Sequence, residues 1–215
     1  SALEHLTTAG EALNPSVFEK VYEQTGLCLK EGFGQTESVL MLGNLVGTES
    51  KTGSLGKPTP LYNTMIVDED GNELKENEVG EIVVVPQKQQ YGIFMGYCGD
   101  EKLYESVWRN GVYHTGDTAY KDEDGFYWYV GRIDDLIKTR GFRVGPFEIE
   151  NVLMKHPAVL ECAVTGIPDA SRGQAIKATV KLADGFEKSK QLEKEIKRFV
   201  NKKVSSYKHI QVLEF

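Results

Sequence analysis

The sequence has little cysteine, no long apolar run and no excess of positive charge, and each shortage excludes a class of protein. Its three cysteines, Cys28, Cys98 and Cys162, are odd in number and far apart. They therefore predict neither a disulfide framework nor a metal site, but a reducing, cytoplasmic location with the thiols as small core residues. No apolar run reaches the ~18 residues needed to cross a membrane, so no membrane-spanning helix is expected.

Charge and length narrow the choice further. The net charge of −7 argues against binding to nucleic acid, so an anionic ligand must be held by a local group of cations. With 215 residues, of which 40% are apolar and 27% charged, the chain is expected to be globular, with one core or two small ones. Neither a repeat, a low-complexity segment nor a targeting leader is visible.

Hydrophobic periodicity predicts an α/β (α+β) chain whose first part is rich in strands and whose second part is a compact α/β unit. Asn14 is a good N-cap for the first helix, and we place a domain boundary near Asp134. The predicted helices are 14–25, 146–156 and 189–203, and the predicted strands are 27–30, 63–67, 81–85, 118–121, 126–130, 136–138, 142–144, 159–164, 176–182 and 210–215.

Two short motifs suit a nucleotide. In the loop 31–37, glycines allow close backbone approach, Thr36 can donate to a phosphate oxygen and Glu37 can bind Mg²⁺. A plain glycine-rich turn is the alternative, and the hexapeptide 32–37 alone favours it. In the motif 113–117, Asp117 can accept from both hydroxyls of a ribose or can start an ordinary Asx turn, and the two interpretations are about equal. His114 is interpreted as a packed or hydrogen-bonded histidine.

Two further segments combine cations with glycines. The run 131–150 interleaves three glycines with Arg132, Lys138, Arg140 and Arg143, which suits a phosphate ligand. A solvated, charge-balanced hairpin is the alternative, but it does not explain the interleaving. In the segment 167–174, Arg172 could hold a phosphate, although local evidence favours an ordinary turn.

The order of these motifs resembles the adenylate-forming (AMP-binding) superfamily, which contains acyl-CoA synthetases, carrier-loading adenylation domains and firefly luciferase. The resemblance covers essentially the whole chain and is greatest to medium-chain and acetyl-type acyl-CoA synthetases. It rests on GEALNP, EGFGQTE, GEIVV, YHTGD, GRIDDLIKTRGFRVGPFEIE, HPAVLECAV, PDASRGQAIKA and SSYKH.

The resemblance implies an ATP-dependent acid–thiol ligase that uses Mg²⁺ and coenzyme A. A carboxylic acid, fatty or aromatic, would attack ATP to give an acyl-adenylate and pyrophosphate, and CoA would then take the acyl group and release AMP. Residues 1–133 would be the C-terminal portion of an incomplete large domain, and 134–215 a small mobile domain truncated at its end. Asp134 would be the hinge about which the small domain rotates between the two steps.

The resemblance also implies roles for individual residues. Those implied to bind ATP or AMP are Gly10, Glu11, Ala12, Glu31, Gly32, Phe33, Gly34, Gln35, Thr36, Asp117 and Arg132. Those implied to bind CoA are Arg140, Gly141, Phe142, Arg172, Tyr207, Lys208 and His209. The catalytic residues would be Thr36, Glu37 and Arg143, with Glu37 also the Mg²⁺ ligand.

Two departures from the family pattern limit these expectations. The family's Ser/Thr/Gly-rich loop ending in Lys, and its Lys near the C-terminus, are both absent from these residues. We therefore expect the chain alone to be inactive, and pairing with another copy could cover exposed core. An adenylation domain that loads a carrier protein is the alternative, against which Arg172 and 207–209 count. A non-catalytic module that binds a nucleotide or a partner is the alternative of another class.

Overall fold

The computed structural model describes residues 2–13, 15–88 and 91–215, which form two compact units, Ser1–Tyr129 and Val130–Phe215. The chain divides a few residues before the boundary predicted near Asp134. Strands dominate the first unit and both units contain helices, so the predicted α/β class is confirmed. Asn14, the predicted N-cap of the first helix, lies outside the described residues.

The described residues of the first unit form two sheets. In the four-stranded sheet, of order β1-β2-β3-β4, β1 runs parallel to β2 and the other pairs are antiparallel. The second sheet has the order β5-β6-β8-β7, with β9 also paired to β8. The elements of this unit are β1 Leu6–Thr8, α1 Pro15–Thr25, β2 Leu29–Gly34, β3 Leu40–Gly43, β4 Lys57–Pro58, β5 Asn63–Val67, β6 Gly80–Val85, α2 Glu101–Val107, β7 Trp108–Arg109, β8 Val112–Lys121 and β9 Tyr127–Arg132, whose last residues enter the second unit.

The second unit is built on one five-stranded sheet of order β11-β10-β13-β12, with β14 parallel to β13. Helix α4 begins where the Ser189 hydroxyl accepts from the backbone N–H of Leu192, and it buries Ile196 and Val200 in the core. The elements are β10 Ile137–Thr139, β11 Phe142–Val144, α3 Pro146–Leu153, β12 Val159–Asp169, β13 Gly173–Leu182, α4 Lys190–Asn201, a 3-10 turn Ser206–Lys208 and β14 Val212–Glu214.

Three expectations are wrong in detail. The loop expected at 31–37 begins as strand, because β2 continues to Gly34 and pairs with β3. The turn expected at 167–174 shortens to the residues between Asp169 and Gly173, because these two are still paired in the β12–β13 ladder. Of the cysteines expected in the core, Cys28 and Cys98 are exposed. Only Cys162 is half-buried, and burial raises its thiol pKa to about 12, which makes it unreactive.

Candidate functional site

A tight turn follows strand β2 and presents the residues predicted to bind phosphate and metal. The backbone N–H of Ser38 donates to the Gln35 carbonyl at 3.1 Å, and the Ser38 hydroxyl accepts from the Gln35 N–H at 3.1 Å. Ser38 therefore closes the turn from both sides. Thr36 is exposed at its tip and Glu37 is half-buried. No part in this turn was predicted for Ser38, although serine hydroxyls often bond to neighbouring backbone groups in turns.

One of the two glycines of β2 is explained by close packing of the neighbouring backbone. A Cβ at Gly34 would lie 2.5 Å from the carbonyl oxygen of Val39, so this position needs glycine. A Cβ at Gly32 would lie 2.5 Å from Cδ1 of Leu40, the end of a side chain that can shift. Their predicted part in nucleotide binding, like that of Phe33, stays a prediction.

Strand β8 brings three buried residues, Tyr113, Thr115 and Asp117, to the turn that follows β2. Its pairing with β6 is irregular here, because His114 pairs with Val83 and Thr118 with Glu81, so the strand bulges around Gly116. Gln35 lies against this segment: its Nε2 donates to the Thr115 carbonyl at 2.9 Å and to Asp117 Oδ2 at 2.6 Å. The Tyr113 hydroxyl donates to Gln35 Oε1 at 2.7 Å. The turn after β2 and the predicted ribose-binding acid are therefore one hydrogen-bonded cluster.

Asp117 is held on both carboxylate oxygens. Besides the bond from Gln35 to Oδ2, the Tyr129 hydroxyl donates to Oδ1 at 3.2 Å. The backbone N–H of Asp117 donates to the Thr115 hydroxyl at 3.1 Å, and that hydroxyl donates to the carbonyl of Ile82 at 2.7 Å. The carboxylate is fixed in orientation, as a group that recognises a diol must be.

A second carboxylate supports the backbone just before Asp117. Glu81 Oε1 accepts from the N–H of Gly116 at 3.0 Å, and Glu81 Oε2 lies 2.8 Å from Nδ1 of His114. Gly116 has a φ of +71°, a conformation that glycine adopts without strain. The interpretation of His114 as a hydrogen-bonded histidine is confirmed.

Glu31, on the buried side of β2, contacts the chain just after the predicted adenine segment. Its Oε1 accepts from the backbone N–H of Leu13 at 2.8 Å, and the residue is 5% exposed. Its Oε2 is buried and has no hydrogen-bond partner within the described ranges 2–13, 15–88 and 91–215. Burial raises the pKa of the Glu31 carboxyl, against the lowering effect of the Leu13 bond. A buried carboxyl oxygen without a partner suits a ligand that supplies a polar group.

The predicted metal ligand is also held in place. The Tyr97 hydroxyl donates to Glu37 Oε1 at 2.8 Å, and the backbone N–H of Phe94 donates to the Glu37 carbonyl at 2.8 Å. No group of three or more potential ligands from His, Cys, Asp and Glu occurs in the part of the chain that the structure describes. Mg²⁺ does not need one, because it binds through one or two carboxylates, waters and the phosphates of its substrate. A single hard carboxylate such as Glu37 fits that pattern.

In the second unit, the segments predicted to bind CoA come together. Arg140 and Gly141 form the two-residue turn between β10 and β11, with φ of +50° and +80°, the pattern of a type I′ hairpin. The backbone N–H of Arg140 donates to the Arg172 carbonyl at 2.8 Å, and Thr139 pairs with Gly173. The β10–β11 turn is therefore joined to the turn between β12 and β13.

The third CoA segment, 207–209, joins the same cluster. The ring of Phe142 stacks on Tyr207 with centroids 4.3 Å apart and an interplanar angle of 16°. Lys208 forms an ion pair with Glu148. Burial lowers the pKa of Lys208 and the Glu148 carboxylate raises it, and the pKa is raised overall. His209 is half-buried. Arg172 is half-buried, with its Nε 4.0 Å from Asp169 Oδ2.

The interleaved glycines of the run 131–150 have a partly structural origin. A Cβ at Gly145 would lie 2.2 Å from the carbonyl oxygen of Val130, and one at Gly131 would meet Pro146 Cδ at 3.4 Å. Packing within the second unit therefore requires glycine at position 145, whereas the contact at Gly131 is an ordinary van der Waals distance. Arg132, Asp134 and Arg143 are exposed in that unit, and Gly10 and Glu11 are exposed in the first. The predicted roles of these residues, and of half-buried Ala12, stay predictions.

No helix among the described residues is long and apolar enough to cross a membrane.

Residues 1–98 match a family described as AMP-binding enzyme, and residues 148–215 match the AMP-binding enzyme C-terminal domain.

Among proteins of similar sequence, 4-hydroxybutyrate–CoA ligase 1 of Metallosphaera sedula is 44% identical over 214 residues, a match that covers 99% of this chain and 38% of that protein. The mitochondrial acyl-coenzyme A synthetase ACSM3 of Rattus norvegicus is 42% identical over 218 residues, covering 100% of this chain and 38% of that protein. The chain thus spans 38% of the length of these curated relatives.

Solved structures give the same result. The anthranilate CoA ligase AuaEII, in complex with anthranoyl-AMP, matches with a TM-score of 0.87 and 32% identity, over 97% of this chain and 40% of that one. A benzoate CoA ligase from Burkholderia xenovorans LB400 matches with a TM-score of 0.87 and 30% identity, over 100% of this chain and 42% of that one.

Proposed function

The chain belongs to the AMP-binding enzymes, and from this premise we propose that it forms part of an ATP-dependent, AMP-forming acid–CoA ligase. The observation that carries the proposal is the cluster of Gln35, Tyr113, Asp117 and Tyr129, which fixes a buried carboxylate beside the turn 35–38. A fixed carboxylate next to an exposed hydroxyl is the arrangement needed to hold a ribose and a phosphate of one nucleotide.

In the first step, we assign nucleotide contacts to the first unit. Asp117 accepts from the ribose hydroxyls, and Glu31 Oε2, which has no hydrogen-bond partner among the described residues, meets a polar edge of adenine beside the segment 10–12. Thr36 donates to the α-phosphate, which gains charge as the carboxylic acid attacks and the acyl-adenylate forms. Glu37, oriented by Tyr97, is the residue that would hold Mg²⁺, which neutralises phosphate charge when bound.

In the second step, we assign CoA contacts to the second unit. The joined turns of Arg140 and Arg172 present forked donors suited to phosphate oxygens, and the stacked pair Phe142–Tyr207 offers an aromatic face. The CoA thiol attacks the acyl carbonyl, and AMP leaves. Asp134 is proposed as the hinge about which the small domain rotates between the two steps. Gly141, Lys208 and His209 are proposed to contact CoA, and Arg143 is proposed as a catalytic residue.

The substrate is proposed to be a carboxylic acid, either fatty or aromatic. The names of the relatives include 4-hydroxybutyrate, anthranilate and benzoate, which are all carboxylic acids of those broad kinds. A cytoplasmic location and a homo-oligomer are also part of the proposal. A mitochondrial relative among the similar proteins leaves the location to be measured.

The test uses the protein expressed from its complete reading frame. Exchange of pyrophosphate into ATP, measured with a panel of fatty and aromatic acids, is expected only with acids that the enzyme activates. Adding free CoA should then release AMP and form a thioester in equal amounts. Exchange that gives no thioester with free CoA, but acylates a phosphopantetheinyl carrier, would favour the carrier-loading alternative. Nucleotide binding without exchange for any acid would favour the non-catalytic alternative.

The 215-residue chain by itself provides a second test. It does not contain the family's Ser/Thr/Gly-rich loop ending in Lys or the family's Lys near the C-terminus. It is therefore expected to release no pyrophosphate from ATP with any acid of the panel. Acid-dependent release of pyrophosphate by this chain would contradict the proposal that adenylation needs groups outside these 215 residues.

A further inference from the structure

The Gln35 side chain is committed to protein partners, although the residue lies in the turn predicted to contact the nucleotide. Its Nε2 donates to the Thr115 carbonyl and to Asp117 Oδ2, and its Oε1 accepts from the Tyr113 hydroxyl. A carbonyl and a carboxylate only accept, so the nitrogen end of the amide must face them and the oxygen end must face the phenol. Both ends of the amide are thereby fixed.

We propose that Gln35 is a positioning residue that orients the Asp117 carboxylate toward the ribose hydroxyls, with Tyr113 fixing Gln35 in turn. The proposal rests on the proposed function, because it takes Asp117 as the ribose-binding acid. A carboxylate can accept about four hydrogen bonds, two on each oxygen, so a protein donor and a ribose hydroxyl on the same oxygen are compatible. Gln35 then acts on the nucleotide through Asp117.

The amide also links two parts of the candidate site. The Gln35 backbone is held by Ser38 in the turn that carries Thr36 and Glu37, while its side chain reaches β8. A shift of the turn therefore moves the donor on Asp117. One side chain sets the distance between the phosphate-binding turn and the ribose-binding acid, which must match the fixed geometry of a nucleotide.

Only an amide meets the requirements at position 35. A carboxylate there would face Asp117 Oδ2 across a contact that measures 2.6 Å with glutamine, and would repel it. An apolar side chain of similar length would leave the Thr115 carbonyl and Asp117 Oδ2 without this donor. Asp117 would keep the bond from Tyr129 on its other oxygen, but its Oδ2 would no longer be held by the amide. We therefore expect loss of orientation without loss of the charge itself.

The test compares ATP with 2′-deoxy-ATP and 3′-deoxy-ATP in the protein expressed from its complete reading frame. Equilibrium binding of each nucleotide is measured for the wild type, Gln35→Met and Tyr113→Phe. The matched control is Tyr127→Phe, which removes another buried phenol from the same sheet. That hydroxyl donates to the Thr64 carbonyl at 3.0 Å, away from Asp117.

The wild type is expected to prefer ATP to both deoxynucleotides. Gln35→Met should weaken ATP binding by about tenfold or more and the deoxynucleotides much less, because the lost interaction runs through the hydroxyls. The preference for ATP therefore falls. Tyr113→Phe should lower it in the same direction by a smaller factor, and Tyr127→Phe should leave it unchanged. A general loss of structure would weaken all three nucleotides alike.

The outcomes separate this proposal from the proposed function. A wild type that binds no ATP, or binds all three nucleotides equally, would remove the ribose role of Asp117 and this proposal with it. A wild type that prefers ATP, with Gln35→Met retaining the full preference, would overturn the positioning role alone. If Gln35→Met does not fold, Tyr113→Phe decides: a preference equal to that of the wild type overturns the proposal, and a reduced one supports it.

Discussion

The two units of the molecule hold their candidate ligand groups in opposite ways. In the first unit, the key carboxylates are buried: Glu31 and Asp117 are each 5% exposed, and Asp117 is bonded on both oxygens. In the second unit, Arg140 and Gly141 form an exposed turn, and Phe142 is 50% exposed. The first site is fixed by buried polar bonds, and the second by a turn, a ring stack and an ion pair at the surface.

This difference suits two different ligand tasks. A nucleotide whose phosphorus is to be attacked must be held in one orientation, which favours groups locked by several partners. A face that contacts a long, flexible thiol carrier can rely on exposed cations and an aromatic surface instead. We therefore expect substitutions in the first unit to impair nucleotide binding strongly, and those in the second to affect one half-reaction only.

The largest effect is expected for Asp117→Asn in the complete protein. The amide that replaces the carboxylate loses charged acceptors for two ribose hydroxyls, and its NH₂ group opposes the donors of Gln35 or Tyr129. Because hydrogen bonds to a charged group contribute about 1.5–3 kcal/mol each, pyrophosphate exchange should fall by roughly 100-fold or more.

Asp124→Asn is the matched control for that substitution. Asp124 is an exposed acid of the same unit whose partner is Lys51, and its loss should leave exchange unchanged. Exchange by Asp117→Asn at the wild-type rate would contradict the claim that the buried network carries nucleotide binding.

The second largest effect is expected for Gly141→Leu, measured separately for the two half-reactions. Thioester formation should slow by roughly 10–100-fold if a side chain there displaces CoA, while pyrophosphate exchange stays near the wild-type rate. The φ of +80° at Gly141 strains any leucine, so strain must be separated from size.

Gly141→Asn makes that separation, because asparagine has nearly the size of leucine but tolerates a positive φ better. It should slow thioester formation about as much as leucine does. Retention of most of the thioester activity with asparagine would indicate that strain in the turn, and not the space beside it, matters. Loss of both half-reactions with leucine would remove the contrast between the two units.

A smaller, pH-dependent effect is expected for Glu31→Gln. Burial holds the pKa of Glu31 above its unfolded value, so ionising this group costs stability in the folded state. The wild type should lose stability as the pH rises from the unfolded pKa through the folded pKa, and this loss then persists at higher pH. Chemical denaturation of the 215-residue chain should show Glu31→Gln gaining stability relative to the wild type at pH 8 but not at pH 4.

Glu105→Gln, in exposed helix α2, should show no such divergence between the two pH values. If the stability difference between Glu31→Gln and the wild type is the same at pH 4 and pH 8, the Glu31 carboxyl stays in one protonation state over this range. That result would contradict the effect expected from its burial.

The smallest effect is expected for Glu148→Gln, which breaks the ion pair with Lys208. The Glu148 side chain is 54% exposed, and such pairs contribute about 0.2–1 kcal/mol, so the free energy of unfolding should fall by less than about 1 kcal/mol. The difference should shrink at high salt. A loss of several kcal/mol, on the order of that for breaking a buried pair, would show that the surface of the second unit is as tightly held as the core of the first.

Much of the fold follows from local patterns. Strands 63–67 and 142–144, the hairpin at Arg140–Gly141 and helix α4 with its cap at Ser189 are all signalled by residues close in sequence. The three-residue strand Leu6–Thr8 was not predicted, because a segment that short shows no periodicity and is ordered by pairing with β2.

The site was predicted as separate motifs, and the bonds between them were not. The part of Tyr113 in the site was not predicted, because the pairing of β8 with β6 is irregular between His114 and Thr118 and alternation along the strand does not relate Tyr113 to Asp117. The partnership with Gln35 depends on how β2 lies against the other sheet, which no local pattern encodes. The close approach of Gly145 to Val130 likewise depends on packing, which the interleaving of glycines and cations in the sequence does not reveal.

The long β12–β13 hairpin has a consequence for the order in which the molecule folds. Its pairs run from Asp169–Gly173 outward to Val159–Leu182, so it can close from its turn through short loops at little entropic cost. The bond from Gln35 to Asp117 joins residues 82 apart in sequence and requires both sheets of its unit. In a pulsed hydrogen-exchange experiment, we expect amides of the hairpin to become protected early and those of 35–38 and 115–117 late. The nucleotide site would then be one of the last parts of the chain to become ordered.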